Sequence, residues 1–180
     1  MKTAIHNYFQ KLKSYPNYFA NEDFSKICNE IKRELDAGVF LVERMKETDI
    51  SIFEKEFGYQ LPIEIERYIN LFWHPCISGY CKTEEAIVLF SVLKKTGDLV
   101  DDILFYKNSL ITMSKEWEKF GDIQKFIPIG WLSYSGRYVL YEVSSNYIFL
   151  ENIDIDGEVE DKPIANSLKE LINSMDLTML

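Results

Sequence analysis

The side chains best suited to hold a metal or act as a nucleophile in this 180-residue chain are its two histidines and three cysteines. His74, Cys76 and Cys81 stand close together, and imidazole and thiolate are the ligands zinc prefers. Their spacing matches no zinc-finger pattern, and a fourth ligand has to come from a distant part of the chain. Buried thiols and a histidine satisfied at a helix end explain the same residues more simply. His6 falls on a polar position of a terminal helical pattern and reads as surface. The stretch from Gly130 to Gly136, Gly-Trp-Leu-Ser-Tyr-Ser-Gly, fits neither a phosphate loop, a dinucleotide fingerprint nor a nucleophile elbow, and reads as a connection between strands. Asp154, Asp156 and Glu158 surround a glycine as in a calcium loop, yet they lack the third ligand before that glycine and the late bidentate glutamate, so a hairpin turn is the better reading. With no nucleophile beside a base and no phosphate cradle, the expectation is a protein that is not an enzyme and carries no cofactor or metal.

Carboxylates form the other grouping. Glu151, Asp154, Asp156, Glu158, Glu160 and Asp161 place six acidic side chains and no base within a short segment. They read either as a solvated edge that discourages aberrant strand pairing or as a docking surface for a basic partner, such as a nuclease that normally grips phosphates. Trp73, Trp131 and Tyr134 stand at segment ends, where they either plug the core or anchor an interface.

The whole-chain charge agrees with a basic partner. Twenty Lys and Arg against 29 Asp and Glu leave a net charge of -9, which repels phosphate backbones and argues against direct nucleic-acid binding. The same field attracts and steers a basic protein. A composition that is 47% hydrophobic with only 8 Gly and 5 Pro belongs to a folded globular chain long enough to bury a core without staples. The odd cysteine count, the absence of an apolar leader in Met1 to Gln10 and the lack of a long apolar run lead to the expectation of a reducing, cytoplasmic compartment and no transmembrane segment.

Periodicity supplies the elements that position these groups. Ala4, Ile5, Tyr8, Phe9 and Leu12 recur at helical spacing, stopped by Tyr15-Pro16-Asn17, and a second helix is expected between Asn21 and Gly38. Two short helices follow, one capped by Asp49 and stopped by Gly58, the other opened by Leu61-Pro62 as its first turn. A buried strand is expected over Ala86 to Leu93, a helix over Leu99 to Phe120, and an antiparallel meander over Phe126 to Gly130, Arg137 to Val143 and Tyr147 to Ile153. Ser167-Leu168-Lys169-Glu170 fits a capping box at the start of a closing helix. Helices, then strands, then a helix imply an α+β fold with an antiparallel sheet of four to six strands, read as one domain with residues 1–47 as a helical extension and 48–180 as the core.

The segment from Phe53 to Phe72, with Phe57-Gly58 followed by Leu61-Pro62 and a helix anchored by Ile65, Tyr68, Ile69 and Phe72, resembles the SMI1/KNR4 (SUKH) superfamily. Phe126-Ile127-Pro128-Ile129-Gly130 and the closing helix at Ser167 to Met175 extend the resemblance over about Asp49 to Asp176. The resemblance implies a non-enzymatic binding fold, most members in bacteria being immunity proteins that neutralise polymorphic or contact-dependent toxins. The total length, the expected Leu99–Phe120 helix and the helical N-terminus look more like the branch of Syd, which binds SecY at the cytoplasmic face of the membrane.

Overall fold

A computed structural model of the chain describes residues 1–12, 41–43, 51–74, 76–90, 92 and 110–177. The expected helix between Asn21 and Gly38, the first half of the expected Leu99–Phe120 helix and Cys28 lie outside the described residues. The chain forms helices α1 (Lys2–Leu12), α2 (Ser51–Phe57), α3 (Ile63–Leu71), α4 (Thr112–Trp117) and α5 (Leu168–Ser174). Its strands are β1 (Val42–Glu43), β2 (Phe72–Trp73), β3 (Ile77–Gly79), β4 (Ile87–Leu89), β5 (Phe126–Leu132), β6 (Tyr138–Glu142) and β7 (Ile148–Leu150). The fold is α+β: β3 to β7 make one antiparallel sheet in sequence order, and β1 pairs separately with β2.

The expected meander is present, and its central strand explains how proline sits inside a sheet. Pro128 pairs with Leu140 and Gly130 with Val139, so Ile129 is an extra residue on β5 and the ladder bulges there. A bulge is one of the few places where a strand tolerates a residue with no N–H to donate. Gly130 is required next to it because a Cβ at that position would lie 2.3 Å from the Val88 carbonyl oxygen on β4.

Helix boundaries follow capping chemistry. Gly58 ends α2 at a φ of +76°, its N–H bonding the Glu54 carbonyl at 2.8 Å. Pro62, expected inside the first turn, instead precedes it: at ψ 139° it is extended, and its carbonyl accepts the first helical bond from Glu66 N–H. Ser167 caps α5 by accepting from Glu170 N–H at 3.0 Å, while the Glu170 carboxylate reaches back to the Asn166 N–H.

One set of buried residues runs from Ala4 in α1 through the sheet to Leu177. α1 packs on α5 and α3 and contributes Ala4, Ile5, Tyr8, Phe9 and Leu12 to this core. The Tyr8 hydroxyl donates to the Ser78 carbonyl at 2.7 Å and accepts from the Ser78 N–H at 2.9 Å, which closes the outer edge of β3 in place of another strand. Beyond it, Tyr80 bridges Asp176 through two backbone bonds of 2.9 Å. The opposite edge is closed too: Ile148 bridges Ala165, and Glu151 bridges Val159. No outer edge of the five-stranded sheet is left bare over these positions.

Candidate interaction surface

His74 is fully buried and bridges Val92 through backbone bonds of 2.7 and 2.9 Å, its ring set edge-on to Tyr68 with centroids 4.9 Å apart. Cys81 is buried with its Sγ 3.1 Å from the Ser174 Oγ, and Cys76 is half-buried. Among the described residues no three His, Cys, Asp or Glu side chains come together in an arrangement that could hold a metal. An open hollow of about 500 Å3 lies between Tyr80–Glu84 and Ser174–Asp176. Its lysine, Lys82, donates to the Ile164 carbonyl at 3.1 Å, tying that loop to the segment before α5.

The acidic segment lies at one end of the sheet and forms one hairpin beside the β5–β6 turn. β7 continues through Glu151, turns, and returns through Glu158 to Glu160, closed by bonds of 2.9 Å from Asn152 N–H to the Glu158 carbonyl and from Glu160 N–H to the Leu150 carbonyl. Inside the turn the Asp154 N–H bonds the Asn152 side-chain oxygen at 2.8 Å, an Asx turn. Gly157 stands at a φ of +79° against the Phe120 carbonyl, which a Cβ would approach to 1.9 Å, so the tip rests on the end of α4.

The β5–β6 turn beside it is held by a carboxylate. Glu85 Oε2 accepts from the backbone N–H groups of Tyr134 at 2.8 Å and Ser135 at 2.7 Å. The Ser135 backbone bond, followed by that from Tyr134, holds the Glu85 carboxyl below the usual glutamate range. Arg137, just past the turn, donates from Nε to the Glu151 carbonyl at 2.9 Å and pairs with the Glu160 carboxylate, clasping both arms of the acidic hairpin. Tyr138 donates its hydroxyl to Glu116 at 2.8 Å and its N–H to the Glu151 carboxylate at 2.9 Å. Burial first, and then the Glu116 carboxylate, pushes the Tyr138 phenol well above its ordinary range.

The six carboxylates therefore divide. Glu151 and Glu160 are structural, fixed on Tyr138 and Arg137, whereas Asp154, Asp156, Glu158 and Asp161 are exposed. The expected aromatic anchors divide as well. Tyr134 is 95% exposed at the crest of its turn. Trp131 is half-buried in β5 between Val88 and Tyr138 and packs against the core. Trp73 has its backbone in β2 paired with Val42, and its side chain lies outside the described residues.

Two residues escaped sequence reasoning. Ile153 and Ile155, alternating with the aspartates, are 71% and 55% exposed at the hairpin tip. The signal was present in Ile153-Asp154-Ile155-Asp156-Gly157, where β-branched apolar residues occupy a turn that ordinarily takes polar ones. With Phe120 and Tyr134 they make up four of the six exposed large apolar side chains among the described residues.

Fold and surface together define an α+β protein with a five-stranded antiparallel meander whose hairpin end offers apolar side chains among carboxylates. No protein-family model matches the chain. No curated protein matches it significantly either.

Proposed function

We propose that this chain is a non-catalytic protein-binding domain, and specifically a bacterial immunity protein that acts in the cytoplasm by binding a toxin and blocking it. The observation that carries the reading is the exposure of Ile153, Ile155 and Tyr134 on turns that are closed by hydrogen bonds. Turns closed by hydrogen bonds that hold apolar side chains in water offer surface for burial against another molecule, and their closing bonds reduce the ordering entropy that binding costs. The net charge of -9 and the exposed aspartates Asp154 and Asp156 beside the isoleucines favour a basic protein as that molecule. The resemblance of Phe53–Phe72 to SMI1/KNR4 proteins supplies the immunity role. No helix among the described residues is long and apolar enough to cross a membrane.

The test is growth of bacteria expressing toxin domains encoded beside this gene, with and without the chain. Restored growth together with a stable complex on size-exclusion chromatography is the expected result. The absence of any neighbouring toxin, or growth arrest that the chain leaves unchanged, contradicts the proposal.

A further inference from the structure

Resting on that reading, we infer that the hairpin tip at residues 152–158 is the docking epitope, with a division of labour: Ile153 and Ile155 are the anchors, Tyr134 flanks them, and Asp154, Asp156 and Glu158 steer. The partner surface that fits is an apolar hollow rimmed by lysine and arginine on a basic protein.

The mode of recognition follows from what the fold has already closed. A partner strand cannot extend the five-stranded sheet where Tyr8 holds both backbone groups of Ser78, Asp176 pairs Tyr80, and Ala165 and Val159 cover the β7 side. Strand addition to the five-stranded sheet is set aside at these positions, and among the described residues the hairpin end offers the clustered exposed apolar side chains. At that end the tip projects two isoleucines, while Phe120 beneath it, with its carbonyl against Gly157, adds a further half-exposed ring.

Charge selects among occupants. Asp154, Asp156 and Glu158 form no ion pair among the described residues, while nearby Arg137 is committed to Glu160 and the Glu151 carbonyl. Three uncompensated carboxylates around the anchors oppose a second copy of this chain, which presents the same charges, and oppose an anionic lipid surface. A cationic protein surface is attracted, and it has to offer apolar contacts at its centre if the isoleucines are to be desolvated.

The probe is a pair of short synthetic peptides, one alternating lysine with leucine and one alternating lysine with serine, titrated into the isotope-labelled full chain and followed by backbone amide NMR. The lysine–leucine peptide is expected to shift amides at 152–158, 133–136 and Phe120, and to bind about tenfold more tightly than the lysine–serine peptide. The double variant Ile153→Ser/Ile155→Ser removes that tenfold preference and keeps the salt dependence. The triple variant Asp154→Asn/Asp156→Asn/Glu158→Gln keeps the preference and flattens the salt dependence. Both sets of side chains are exposed, so the variants keep the wild-type melting temperature, and a melt verifies this. Shifts centred elsewhere, equal binding of the two peptides, no binding at all, or an isoleucine variant with the preference intact overturns the inference. Because growth protection is scored without reference to any surface, protection that persists in the isoleucine variant sinks this epitope alone, whereas failure of the wild-type chain to protect sinks the functional reading.

Discussion

Tyr8 and Tyr134 carry the same side chain to opposite ends of the accessibility scale. Tyr8 is 2% exposed and its hydroxyl closes both backbone groups of Ser78, whereas Tyr134 is 95% exposed and it is the turn beneath it, through Glu85, that is secured. In the core, tyrosine is a hydrophobe whose one polar atom repairs a backbone that regular pairing leaves open, as Tyr68 does for the Phe90 carbonyl at 2.7 Å and Tyr59 for that of Ile123 at 2.8 Å. At the hairpin end the backbone is already satisfied, and the apolar side chains are surplus to folding. The contrast separates residues that hold the molecule together from residues that the molecule holds out.

Stability measurements can break that contrast, and the deepest core side chain has the largest expected effect. Tyr68→Ala removes a fully buried ring and the bond to Phe90, and is expected to cost about 3–5 kcal/mol, as large-to-small aromatic substitutions do. Chemical denaturation checks this, and a cost near that of a surface substitution contradicts the core assignment. Tyr8→Phe keeps the ring but removes the hydroxyl that bonds the buried N–H and C=O of Ser78, for an expected loss of about 1–3 kcal/mol. Faster amide exchange at Ser78 is its specific signature.

The hairpin end responds differently. Gly157→Ala forces a side chain into the left-handed region, about 1–2 kcal/mol by itself, and drives a methyl group into the Phe120 carbonyl, so the tip lifts off α4. Partner binding is expected to weaken along with stability, which distinguishes this frame residue from the anchors. Glu85 gives a pH signature. Its carboxyl is depressed in the folded state, so its contribution is complete above the ordinary glutamate range and is lost as pH falls through the depressed folded value. The amide signals of Tyr134 and Ser135 are expected to move together in that acid window, and Glu85→Gln removes the step. The smallest stability effect belongs to Ile153→Ser/Ile155→Ser, expected within about 0.5 kcal/mol of wild type because both side chains are exposed.

Periodicity made the longer elements legible. Short apolar runs separated by turn signals announced β5, β6 and β7, and Ser167 with Glu170 announced α5 through capping chemistry that acts within one turn. Where partners lie far apart in sequence, that legibility ended. β3 is only three residues ending in glycine, with no alternation to read, and its place is set by pairing with β4 and by Tyr8 from the other end of the chain. The apolar run from Ala86 to Leu93 reads as one long strand, yet regular pairing stops at Leu89: Phe90 N–H turns to the Ile129 carbonyl at the bulge, and Val92 pairs with His74. An uninterrupted apolar run carries no period that could mark this change of partner. The acidic cluster was visible as composition. Its division into structural and free carboxylates was not, because it depends on Arg137 and Tyr138 standing across the hairpin end from Glu151 and Glu160. Ile153 reads as the last residue of the Tyr147–Ile153 strand, whereas the closing bonds at Asn152 and Glu160 place it, with Ile155, in the turn beyond.

The central claim, that the hairpin end is the recognition surface and the sheet edge is closed, is most directly tested by hydrogen exchange on the complex with the proposed toxin partner. Amides at 153–157 and 134–136 are predicted to slow on binding, while Ser78 and Tyr80 keep their free-state rates. Slowing at Ser78 and Tyr80 with the hairpin tip unchanged would contradict the account.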